Sequence, residues 1–122
     1  MHTSNDNRLL IAVATKTGKA VDLHFGHART FYVYEVNGRQ VCFIGIRDAD
    51  QYCTGNVSED ESREQTLNRI AETLRDVSVL LVAKIGDSPK EYLTQAGLPV
   101  MTEYAHLSIE EEALDWWKKA NA

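Results

Sequence analysis

The chain has 122 residues, 43% of them hydrophobic and 25% charged, with 18 acidic against 13 basic side chains and a formal charge of −5. That length suits one domain, which buries enough surface to fold without disulfides or a structural metal. The acidic balance argues against a nucleic-acid module, no apolar run approaches the roughly 20 residues of a membrane span, and two cysteines, Cys42 and Cys53, are too few for a disulfide framework.

Met1 to Asn7 is polar and lacks the apolar core of a signal peptide, so residues 1–7 read as a disordered tail and 8–120 as the domain. A cytoplasmic, reducing setting fits, with at least one thiol free. Leu9 to Ala14 is a continuous apolar run, as in a strand covered on both faces. A long polar loop follows to His27. Phe31 to Val36 is aromatic and β-branched, and Asn37-Gly38 is a strong hairpin signal. Gln40 to Arg47 is the return strand. Strict alternation puts Val41, Phe43 and Gly45 on one face and Cys42, Ile44 and Ile46 on the other, which makes Cys42 a small core residue.

Asp48 to Glu61 reads as a second extended polar loop. Both loops are expected to lack apolar anchors and to order on binding. Leu67, Ile70, Ala71 and Leu74 fall at helical spacing within 62–75. Val77 to Ala83 is a second buried strand. Ser88 is the expected cap of a short helix with Pro89 at its first position and Glu91 completing a capping box; Gly97 is its expected stop. Leu98 to Thr102 forms a third covered strand. Ser108 caps a last helix whose inner face is supplied by Ile109, Ala113, Trp116 and Trp117. The acidic clusters at Ser58 to Glu61 and Glu110 to Glu112 sit where helices begin, and helix dipoles account for them. The order predicts an α/β fold: a five-stranded mixed sheet, an antiparallel hairpin plus a parallel βαβαβ portion, with three helices.

Chemistry concentrates in two loops. Val21 to Ala28 places His24 and His27 three residues apart around Gly26, whose missing Cβ permits an unusual backbone conformation and a sharp turn that brings both rings to one place. Tyr52-Cys53-Thr54-Gly55 offers a thiol in the other loop. Imidazole and thiolate suit iron, zinc or iron–sulfur clusters. Lys16, Lys19 and Arg29 flank the histidines and form a basic rim suited to an anion. Ligands in open α/β sheets bind at the carboxyl ends of strands. The loop after the fourth strand, with Lys84 and Asp87, shares that edge if the first and fourth strands are parallel neighbours. Each candidate also has a plainer role: a hydrogen-bonded loop histidine for His24, a capping ring for His27, an incidental thiol for Cys53, ordinary solvated lysines for the rim. His106 reads as structural.

Leu23-His24-Phe25-Gly26-His27-Ala28, Asp50-Gln51-Tyr52-Cys53-Thr54-Gly55 and Ala83-Lys84-Ile85-Gly86-Asp87-Ser88-Pro89 together resemble the dinitrogenase iron–molybdenum cofactor-binding family, over about residues 8 to 118. The family includes the NifX and NafY carriers and the tail domain of NifB, and the histidine and Tyr-Cys segments are most similar to the last. The resemblance implies a ribonuclease H-like fold and a carrier of anionic iron–sulfur precursors of the nitrogenase cofactor, with His24, His27 and Cys53 as cluster ligands. It implies nitrogenase assembly proteins as donor and acceptor, and neither nucleic acid nor membrane as partner. The radical-chemistry domain of NifB uses a Cys-x-x-x-Cys-x-x-Cys motif that this sequence lacks, so carriage rather than cluster synthesis is implied. The Met1 start slightly favours a free-standing protein.

Other classes compete. A Cys–His hydrolase needs Cys53 against His24 and an orienting third group, for which no signature exists. A magnesium nuclease needs several gathered carboxylates, and Asp22 and Asp87 are too few. A protein-interaction or regulatory module of the same fold, without cluster binding, is the main alternative.

Overall fold

A computed structural model describes residues 9–37, 40–49 and 60–120. The expected tail at 1–7, the Gly38 of the hairpin and the Cys53 segment lie outside these residues. The chain runs β1 (Leu9–Val13), β2 (Thr30–Val36), β3 (Val41–Asp48), α1 (Asp60–Thr73), β4 (Val79–Leu81), α2 (Asp87–Gln95), β5 (Val100–Met101) and α3 (Ile109–Ala120). The strands form one sheet in the order β3-β2-β1-β4-β5. β1 is antiparallel to β2, with Ile11 opposite Tyr34, and parallel to β4, with Ala12 opposite Leu80. β4 and β5 are parallel and β2 and β3 antiparallel. This is the mixed sheet with three helices that the element order predicts, and it accords with a ribonuclease H-like arrangement.

The apolar runs of β1 and β4 are continuous because both sheet faces are covered. One face packs Ala12, Phe31 and Leu80 against Leu67, Ile70 and Leu74 of α1 and Leu93 of α2. The other packs Ile11, Val13, Tyr34 and Leu81 against Ile109, Ala113 and Trp116 of α3. α3 carries Glu110, Glu111 and Glu112 in its first turn and Lys118 and Lys119 in its last, which complements the helix dipole at both ends. Ser108 sits at its start, with its Oγ 3.5 Å from the Glu111 N–H.

Three local expectations are corrected. First, α2 starts at Asp87 after Gly86, with no side-chain cap, so Ser88 and Pro89 lie inside the first turn. The Gly97 stop is met: its φ is +98°, and the Leu98 N–H turns back to the Leu93 carbonyl at 2.8 Å. Second, Cys42 is exposed, not core. It stands opposite Glu35 on an edge strand, on the sheet face away from α3. Third, alternation along β3 is broken. Val33 pairs with Gly45 but Tyr34 with Phe43, so Ile44 is an extra residue and the strand bulges. Beyond the bulge Ile46 opposes Tyr32, on the same face as Phe43.

The hairpin connection is tied by the Asn37 N–H to the Gln40 carbonyl (3.2 Å) and the Gln40 N–H to Asn37 Oδ1 (3.0 Å). Arg47, past the bulge, donates to both carboxylate oxygens of Asp76 (2.6 and 3.0 Å) and to the Thr73 carbonyl (3.0 Å), clamping β3 to the end of α1.

Candidate functional site

The loop after β1 is fixed by its own polar side chains and by two apolar anchors. The buried Thr15 Oγ1 accepts from the Gly18 N–H at 3.0 Å, and Asp22 Oδ1 accepts from the Lys16 N–H at 2.8 Å. Gly18 has φ +81°, and a Cβ there would lie 2.9 Å from the Tyr32 ring. Any other residue at position 18 would be strained. Gly26, by contrast, lies in a helical turn and has no positive φ, which corrects the conformational role expected for it. Val21 and Phe25 are fully buried, contrary to the expectation that this loop lacks apolar anchors.

Phe25 to His27 form one 3₁₀ turn, with His24 as its N-cap. A 3₁₀ helix has about three residues per turn, so residues i and i+3 eclipse. His24 and His27 are such a pair: their rings stack at 5.8 Å between centroids and 11° between planes. Between them Phe25 points inward and lies against Phe31 at 6.3 Å. The His24 and His27 side chains stand exposed while the residue between them is anchored in the core.

The turn is tied to the neighbouring loop through the main chain. Leu23 N–H donates to the Ala14 carbonyl (3.2 Å), Ala83 N–H to the Leu23 carbonyl (2.9 Å) and Phe25 N–H to the Lys84 carbonyl (2.8 Å). His24 and Lys84 form an isolated parallel bridge. Lys84 is thus brought beside the histidines at the carboxyl edge of β1 and β4. Arg29 is exposed two residues beyond His27, and its carbonyl accepts from the Ala49 N–H at 2.8 Å, so β3 exits next to the histidine turn.

Lys19 is placed elsewhere. Its carbonyl accepts from the Ile109 N–H, and it lines a groove of about 340 Å³ with Tyr34, Phe43 and Ser108 on the α3 side. Lys16 is exposed at the start of the loop. His106 has a positive φ of 66° and donates its backbone N–H to the Val21 carbonyl at 2.7 Å, a role in holding the loop. Cys53 lies outside the described residues, among which no group of three His, Cys, Asp or Glu side chains is arranged to hold a metal ion. Sequence reasoning missed Phe25 as the pivot of the site; its signal was one large apolar residue between two polar rings. It also passed over Thr15 and Asp22 as loop braces, although Thr or Asp at the start of a Gly-containing polar loop commonly bonds to backbone.

This geometry presents two imidazoles side by side with a lysine-bearing loop, on a scaffold that does not need them for its core. It can offer nitrogen ligands and positive charge to an anion on the surface. No helix among the described residues is long and apolar enough to cross a membrane.

Comparison with known proteins agrees on where this chain belongs. The apo orange protein of Desulfovibrio gigas superimposes with a TM-score of 0.63 over 90% of this chain and 88% of that one, at 20% identity, and so shares the fold. The FeMo cofactor biosynthesis protein NifB of Rhizobium meliloti is 46% identical over 102 residues, 84% of this chain and 20% of that protein. NifB of Azotobacter vinelandii is 41% identical over 106 residues, 87% of this chain and 21% of that protein. The chain therefore spans about a fifth of the length of these relatives. The profile of the dinitrogenase iron-molybdenum cofactor family matches residues 7–119, nearly the whole chain, and it is to this family that the chain belongs.

Proposed function

We propose that this chain acts in biosynthesis of the nitrogenase cofactor, where it binds an anionic iron–sulfur precursor cluster and carries it from one assembly protein to another in the cytoplasm. The observation that carries the reading is the stacked, exposed His24–His27 pair on a core-anchored turn beside Lys84, in a chain similar to proteins named for FeMo cofactor biosynthesis. His24 and His27 supply exchangeable imidazole ligands, Cys53 a stronger thiolate, and Lys84, Lys16 and Arg29 a positive rim; Lys19 belongs to this rim only if the cargo extends toward α3. The cluster is cargo. A site meant to keep a cluster uses four thiolates, whereas two or three attachments hold it and release it. Carriage breaks and forms only ligand bonds, so no catalytic group is assigned.

The test is anaerobic titration of the chain with one isolated cluster, followed by gel filtration, visible absorption and iron and sulfide analysis. Broad absorption that stays with the protein, and weakens in His24→Ala and Cys53→Ala, is expected. A chain that emerges colourless and iron-free overturns the carrier reading and leaves an interaction module. Binding that survives both substitutions overturns the site.

A further inference from the structure

β3 is an edge strand whose outer side pairs with nothing among the described residues. Natural edges are usually blunted with charge, proline or a short strand. This one runs eight residues and carries no charge from Val41 to Ile46. Phe43, Ile44 and Ile46 are each about half exposed, at 53%, 52% and 50%, and with Leu107 they are the exposed large apolar residues of the described chain. Three half-exposed side chains of this size amount to roughly 300 Å² of apolar surface, the scale at which a patch marks a contact site.

The bulge says what fits it. In a regular strand, residues three apart face opposite ways. Because Ile44 is an extra residue, Phe43 and Ile46 both stand on the α3 face, opposite Tyr34 and Tyr32, and symmetrically about the Ile44–Gly45 step. An antiparallel partner must place same-face residues opposite each other. A strand whose own Phe43 and Ile46 are related in this way meets that condition with a second copy of itself, turned about a two-fold axis at that step. Without the bulge the same centre would oppose residues from different faces. We propose that β3 is a homodimer interface in which two copies of this strand run antiparallel about the Ile44–Gly45 step, each Phe43 against the Ile46 of the other copy.

The electrostatics and the packing agree. In this register Cys42 meets Arg47 and Val41 meets Asp48, so no like charges face each other, and Arg47 is already paired with Asp76 of its own chain. Phe43 is braced by Tyr32 and Tyr34, with ring centroids 5.5 and 5.6 Å away, so little side-chain freedom is lost on docking. Gly45 leaves open space at the axis: a Cβ built there meets no atom within 4 Å. Apart from the two bulges at the centre, the half-strands on either side carry the ladder. A two-fold contact uses every exposed apolar residue of the strand twice and closes without further copies. The patch is small beside the roughly 800 Å² per partner that a standard interface buries, so a weak, concentration-dependent dimer is expected. Two chains of charge −5 repel, so added salt tightens the dimer. The proposal is independent of the cluster reading, and neither falls with the other.

Sedimentation velocity of the 122-residue chain from micromolar to millimolar concentration tests it. The expected result is a monomer–dimer equilibrium that strengthens with salt, and that Ile46→Lys weakens by at least about tenfold by burying a charge in the contact. A cross-linking measurement covers the case in which Ile46→Lys fails to fold. In a Cys42→Ser, Cys53→Ser background, Ile44→Cys places a thiol from each copy beside the axis. It should form a linked dimer under copper phenanthroline, whereas Lys118→Cys at the far end of α3 should not. A single monomeric species at all concentrations, a dimer indifferent to Ile46→Lys, or equal cross-linking at positions 44 and 118 overturns the proposal.

Discussion

Two adjacent residues of the histidine turn should fail in opposite ways. Phe25 is 1% exposed and pairs with the Phe31 ring, while the neighbouring His24 side chain projects into solvent. Replacing Phe25 by alanine removes on the order of 100 Å² of buried ring surface, about 2.5 kcal/mol at ~25 cal/mol per Å². The unfilled cavity and the lost ring pair raise this to about 3–5 kcal/mol. Against a typical stability of about 5–15 kcal/mol the variant still folds, but melts roughly 10–20 °C lower. Phe25→Leu keeps most of the volume and costs under about 1.5 kcal/mol. His24→Ala removes an exposed side chain and changes stability by no more than about 0.5 kcal/mol. Urea unfolding followed by tryptophan fluorescence measures all three. Cluster titration then separates the roles: His24→Ala loses affinity at full stability, and Phe25→Ala loses both. If Phe25→Ala melts within about 3 °C of the parent, the turn is not anchored as described. If His24→Ala is as destabilised as Phe25→Ala, the histidine is part of the fold rather than the site.

Other consequences are independent of the cargo. Arg47, hydrogen-bonded to Asp76, holds that carboxyl below its ordinary value of 3.8; a depressed carboxylate stabilises the fold above that value and loses its contribution as pH falls through the lowered one. Both groups are partly exposed, so Arg47→Ala should cost only about 0.5–1 kcal/mol at pH 7, and the gap to the parent should narrow in paired urea melts as pH falls below 3.8. Burial, with Asp115 beside it, pushes the Tyr104 phenol up to about 12. Its contribution to stability is complete below the ordinary value of 10 and is lost as pH rises toward 12; Tyr104 should ionise late in an ultraviolet titration, as should Tyr34, which burial also raises, and Tyr104→Phe should shrink the late step. Gly18→Ala forces a Cβ into a positive-φ site against the Tyr32 ring and should cost about 1–3 kcal/mol, read as a lower melting temperature. Cys42 is exposed, so Cys42→Ser should leave stability within about 0.5 kcal/mol, and the native thiol should react promptly with a maleimide.

The sequence was legible wherever apolar pattern alone decides structure. The unbroken runs at Leu9 and Val77 identify strands buried on both faces, and Asn37-Gly38 between two strand-like runs marks the antiparallel pair; from these, the shared edge of His24 and Lys84 follows. It was illegible where one backbone event changes the phase. Alternation puts Cys42 in the core only if β3 is covered on both faces, but β3 is an edge strand with one face short of cover, and the alternation fails at Ile46 because a bulge is invisible to a period of two. The signal was present in Gly45, since glycine inside a strand pattern often marks a bulge. Gly26 and Gly18 show the same limit differently. Both sit in polar loops, but only Gly18 has a positive φ and faces the Tyr32 ring, so only there is a side chain strained. The start of α2 turned on a competition between Ser88 and Gly86 for the cap, which local preference favoured wrongly.

The carboxyl edge of the sheet decides where the histidine turn stands. β1 and β4 pair side by side through Val13 and Leu81, and the Ala14 N–H still reaches the Leu81 carbonyl. One residue further the two chains no longer bond to each other. The returning loop slips between them, with Leu23 bonded to Ala14 on one side and to Ala83 on the other, and Phe25 bonded to Lys84. The crevice where parallel strands part is where open α/β sheets place ligands. Here the chain fills it with its own backbone and delivers His24 and His27 to the mouth. The hydrogen bonds that fix the turn are main-chain bonds, and its anchor is an apolar ring. Neither those main-chain bonds nor the Phe25 anchor runs through an imidazole. If this turn holds a cargo as proposed, it does not have to be folded by that cargo. Capture then costs little ordering, and release does not unravel the loop, as a carrier requires and a permanent cluster protein does not.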